Sequence, residues 1–125
     1  MTSEFTHVIA KVTFLKTEEG GRQKAPAFRT SHKYFPHVVV QSPDAREATR
    51  DENGYLVEDY LGVQFIDDPN DYELGQTAEV KLLLFYHPRV DYSKLVPDAT
   101  FTIREGGKIV GFGAVQSRHR ASDET

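Results

Sequence analysis

Apolar and polar residues alternate along much of this chain. From Thr6 to Leu15, Val8, Ala10, Val12 and Phe14 share one face while Ile9, Lys11, Thr13 and Leu15 share the other, which is the period of a strand. A second strand is expected over Tyr34 to Gln41, where Pro36 points to a sheet edge, a bulge or an early strand position because it donates no ladder hydrogen bond. A third, less regular, runs from Tyr55 to Ile66. The fourth, Thr77 to His87, places Ala78, Val80, Leu82, Leu84 and Tyr86 on one side. The stretch FTIREGGKIVGFGAV, residues 101 to 115, supplies the fifth and sixth as a hairpin. In it Phe101 and Ile103 oppose Thr102 and Arg104, and Gly106-Gly107 suits a tight turn.

Turn signals separate these segments: Glu19-Gly20-Gly21, Asn53-Gly54, Asp67-Asp68-Pro69-Asn70, Pro97-Asp98 and Gly106-Gly107. No segment has a convincing helical period, although 42 to 54 suits a short helical turn within a loop. Six strands with short polar connections and no covering helix predict an all-β fold whose sheet closes on itself, as a barrel or tight sandwich. One domain is expected over 1–117, with a divergent acidic middle at about 41–72 and a disordered tail over 118–125.

Charge changes the picture of that middle. The chain's formal charge is -4, but ten acidic and two basic residues lie between Asp44 and Glu73, so this stretch carries -8 and the remainder +4. A mildly basic body with an acidic middle steers polyanions in opposite directions from its two parts. The 125 residues, 38% apolar and 27% charged, suit a soluble globular domain with a sizeable core. Cysteine is absent, which excludes disulfides, thiolate metal sites and cysteine nucleophiles and suits a reducing cytoplasm. The opening MTSEFTHVIAKVTF does not resemble a signal peptide, and no apolar run is long enough for a membrane helix, so a cytoplasmic protein is expected.

Familiar catalytic patterns are missing. Nothing matches GxxxxGK[ST], so nucleotide binding of that type is not expected. His7, His32, His37, His87 and His119 form no HExxH or comparable ligand spacing, and no GxSxG elbow presents a serine nucleophile. The expectation is a protein that is not an enzyme and has no metal or other cofactor. Two turns remain of interest, Glu19-Gly20-Gly21-Arg22 and Arg104-Glu105-Gly106-Gly107. Each sets a glycine pair beside a carboxylate and an arginine, and exposed turn amides can hold phosphate or ribose oxygens. Tight turns also require such glycines for conformation alone, and on chemistry that explanation is the stronger.

Several segments resemble the third, C-terminal β-barrel domain of bacterial translation elongation factor Tu. They are VTFLKTEEGGR (12 to 22), Phe28 followed by KYFPHVVV (33 to 40), ELGQTAEVKLLLFYHP (73 to 88) and FTIREGGKIVGFGAV (101 to 115). The resemblance covers residues 5 to 117 and is poor over 41 to 72. It implies a six-stranded antiparallel barrel and, by position, contacts to aminoacyl-tRNA from Arg22, Gln23, His37, His87, Glu105 and Gly106. The sequence departs from the family where Phe35 replaces an arginine and Phe112 a small residue.

The chain has neither the family's GTPase domain nor its second barrel, so no GTPase activity is expected. The resemblance implies a binding module for tRNA or another translation component. The alternative is a protein-protein adaptor, inhibitor or immunity-type protein that mimics the barrel, with Asp67 and Asp68 of the acidic middle at its interface. Faces that the family buries between domains would here be solvated or covered by a partner, including a second copy in a homodimer.

Overall fold

The computed structural model describes residues 5–21, 34–47, 49–55, 58–66, 73–87, 89–106 and 108–120. Strands β1 (Phe5–Phe14), β2 (His37–Val40), β3 (Leu61–Ile66), β4 (Thr77–Leu84), β5 (Thr100–Glu105) and β6 (Lys108–Arg120) form a closed barrel in the order β1-β4-β3-β2-β5-β6. Every pairing is antiparallel. A 3-10 turn at Thr17–Glu19 is the one helical element among the described residues. No helix among them is long and apolar enough to cross a membrane.

The alternation read from β1 is the alternation that fills the barrel. Val8, Ala10, Val12 and Phe14 are fully buried, and Leu82 on β4 and Phe65 on β3 meet them in the same core. Burying a side chain of this size contributes about 2 kcal/mol, so the core is the main source of stability. Phe14 and Phe65 pack with ring centroids 5.8 Å apart, and Tyr34 closes this end of the barrel at 5.0 Å from Phe65.

Three elements differ from the periodicity. The third strand is shorter than Tyr55 to Ile66, because Glu58 and Tyr60 ahead of Leu61 bond to Arg104 on the outside of β5. The fourth ends at Leu84, and Phe85 to His87 turn away, so Tyr86 is not on the inward face with Leu82 and Leu84. Strand β6 runs to Arg120, past the boundary drawn at 117, because the first half of β1 pairs with it through His7↔His119 and Val8↔Arg118. The two imidazoles of that first pair stack at 5.2 Å. Over 42 to 54 the described residues form turns rather than a helical segment, closed by Ala45 N–H donating to Ser42 and Gly54 N–H donating to Asp51.

Candidate functional site

Strand alternation sends Phe101 and Ile103 into the core and Thr102 and Arg104 to the outside of β5, yet all four are buried. The chain between β2 and β3 covers the outward pair. Both guanidinium ends of Arg104 donate to the Glu58 carboxylate, Nη1 to Oε1 at 3.0 Å and Nη2 to Oε2 at 2.6 Å. Nε donates to Thr102 Oγ1 at 3.1 Å, Nη1 also to Tyr60 Oη at 3.0 Å, and Nη2 also to Gln41 Oε1 at 2.7 Å. A guanidinium has five N–H donors, and here each has an acceptor. The Thr102 hydroxyl donates in turn to Gln41 Oε1.

Glu58 receives two further bonds, from Thr49 N–H at 2.7 Å and Tyr60 Oη at 3.1 Å. The Arg104 guanidinium, ahead of the loss of water, holds the Glu58 carboxyl below its ordinary value of 4.5, and Thr49 and Tyr60 act in the same direction. Part of the acidic middle is therefore a cover over β2 and β5. It reaches β6 as well, where the Arg46 guanidinium lies 5.5 Å from the centroid of the Phe112 ring. At its far end Asp59 pairs with Lys94 at 2.8 Å, both exposed.

Tyr60 joins this covered patch to an open one. Its ring lies 5.5 Å from the Arg104 guanidinium and 6.1 Å from the His37 imidazole. Beyond His37 the outer face forms a groove of about 190 Å³ lined by Phe35, Pro36, His37, Gly62, Val63, Phe85 and Tyr86. Phe35 (45%), Phe85 (46%) and Tyr86 (46%) are half exposed, and they touch one another rather than being scattered. Phe35 meets Phe85 edge-on at 4.9 Å, and Phe85 meets Tyr86 at 5.1 Å.

Gly62 lines this groove beneath the Tyr86 ring. A Cβ on Gly62 would sit 2.3 Å from the Tyr86 ring, so only glycine lets that ring lie across β3. The buried Tyr92 hydroxyl donates to Gly62 C=O at 2.6 Å and accepts from Tyr86 N–H at 3.0 Å. Burial raises the Tyr92 phenol above its ordinary value of 10.0, which keeps the donating proton in place. Phe85 N–H donates to the same Gly62 carbonyl at 3.3 Å.

The two glycine turns meet at one end of the barrel, where Lys108 Nζ donates to Gly21 C=O at 3.2 Å. Gly106 is exposed there with φ of 61°, a left-handed conformation that favours glycine. Glu105 is turned inward and accepts the Tyr34 hydroxyl. His37 stands opposite Arg104 in the sheet but presents its ring to the groove, and His87 follows Tyr86 in the turn after β4. Arg22, Gln23, Asp67 and Asp68 lie outside the described residues. Of the expected RNA contacts, Glu105 and Gly106 lie at the glycine-turn end, and His37, opposite Arg104 on the neighbouring strand, also lines the groove.

Sequence reasoning missed Glu58, Tyr60 and Gln41 as partners of Arg104, and missed Phe85, Tyr86 and Gly62 as groove residues. The available signals were the adjacent aromatics Phe85-Tyr86 at a strand end and Phe35 ahead of a proline. Among the described residues no three histidine or carboxylate side chains are grouped to hold a metal ion. No protein-family model and no curated protein matches the chain, so its own geometry is the guide to its function.

Proposed function

We propose that this protein is a non-enzymatic binding module that docks a segment of a protein partner in the groove of Phe35, His37, Gly62, Phe85 and Tyr86. The observation that carries this reading is the contiguous aromatic patch around a pre-formed hollow, held by the buried Tyr92 hydroxyl. Contiguous exposed apolar surface rimmed by polar groups is characteristic of interaction sites. At about 190 Å³ the hollow is smaller than the roughly 300–1,000 Å³ typical of small-molecule pockets, and suits one apolar side chain. Two cations of the barrel's outer face are paired with carboxylates, Arg104 with Glu58 and Lys94 with Asp59. Lack of cysteine fits a cytoplasmic setting.

A second reading, contact with tRNA or another translation component, draws on the glycine turns brought together by Lys108 and Gly21. One experiment separates the two. The tagged full chain and a Phe35→Ser/Phe85→Ser variant are used for capture from host lysate, with and without ribonuclease. The docking reading expects a protein that survives ribonuclease and is lost with the double variant. Captured tRNA, unaffected by the double variant, contradicts docking in the groove and supports the second reading.

A further inference from the structure

We infer that the groove selects an apolar side chain whose neighbour in the partner chain is a carboxylate, and that His37 is the residue that reads the charge. This rests on the groove being the docking surface. Among the described residues, the ionisable side chains lining the hollow are His37 and Tyr86, and no carboxylate lines it. Among the described residues His37 has a ring contact with Tyr60 and no side-chain hydrogen bond, and the Tyr86 hydroxyl likewise donates to none. Two donors therefore stand at the wall of an apolar hollow with their capacity unspent.

The groups around His37 leave its ring nitrogens available to a ligand. Arg104 stands opposite it on β5, but that guanidinium is neutralised by Glu58. Gly62 stands opposite on β3 and has no side chain. Tyr60 covers one side of the ring and Tyr86 shares the groove. An apolar side chain fills the hollow while an adjacent aspartate or glutamate meets the imidazole. A segment with a neutral or basic neighbour gains only the apolar part.

Titration of the full chain, followed by amide chemical shifts, tests this with N-acetyl-phenylalanine amide, N-acetyl-aspartyl-phenylalanine amide and the matching asparaginyl peptide. All three are expected to shift the amides of Gly62 and Tyr86. At about pH 6 the aspartyl peptide is expected to bind about threefold tighter than the asparaginyl one, the scale of a partly exposed charge pair. His37→Gln is expected to remove that preference while N-acetyl-phenylalanine amide still binds. Binding without an aspartyl preference overturns the inference and leaves the docking reading standing. No shift at Gly62 with any peptide overturns the docking reading itself. Shifts at Gly62 that depend on protein concentration alone identify a second copy as occupant and overturn the inference.

Discussion

Arg104 and Glu58 meet at 2.6 Å with their side chains 0% and 1% exposed, although neither belongs to the barrel's interior. The pair seals the chain between β2 and β3 onto the outside of β5. Taking both charges out of water is costly, and the five satisfied donors of Arg104 are what offset it. The seal leaves the neighbouring strip, from His37 to Phe85, as the open part of this face.

Removing one partner strands the other. Glu58→Ala is expected to lower unfolding free energy by about 3–5 kcal/mol, read from urea denaturation. Arg104→Met with Glu58→Leu is expected to cost less than either single change, because no unpaired charge remains. A single change costing under about 1 kcal/mol would show that the pair behaves as an exposed one.

Glu58 also sets a pH dependence. Its folded-state pKa lies below the ordinary 4.5, so the folded protein binds fewer protons there than the unfolded chain. The stabilisation is present above that value and lost as pH falls through the folded-state pKa. Stability measured from acid to neutral pH for the natural chain and Glu58→Gln is expected to differ most above 4.5 and to converge below it. A difference that stays constant with pH contradicts the assignment.

Gly62→Ala forces the Tyr86 ring off β3, since the added carbon would lie 2.3 Å from it. The half-exposed ring can swing into solvent, so a cost of under about 1 kcal/mol is expected, with the barrel intact by circular dichroism and partner capture lost. Capture at natural strength would place the docking surface elsewhere.

Tyr92→Phe deletes one hydroxyl that serves two backbone groups, Gly62 C=O and Tyr86 N–H. The expected loss is about 1 kcal/mol, because the Tyr86 N–H loses its acceptor while Gly62 C=O keeps the Phe85 N–H. Hydrogen exchange at the Tyr86 amide should accelerate in the variant, and an unchanged rate would show that the turn does not depend on Tyr92.

The barrel was legible because it is written in local alternation. Val8, Ala10, Val12 and Phe14 face inward as their spacing predicts, and Gly106 lies at the turn of the β5-β6 hairpin. The site was not legible, because its contacts are distant in the chain. Glu58 reads as one solvated acid among ten in the acidic middle, and its partner lies 46 positions away. Tyr86 keeps the phase of Leu82 and Leu84, and only the end of β4 turns it outward. His37 was singled out through a family resemblance, and its place in the lining of an apolar groove could not be read from the chain, because Phe85 and Tyr86 lie far from it in sequence.

The most direct measurement is a hydrogen-exchange footprint of the captured complex against the free protein. Docking in the groove predicts protection at 61 to 63 and 85 to 87, together with 35 to 38 on the facing strand. Protection confined to 16 to 21 and 105 to 110, the glycine-turn end, would contradict it.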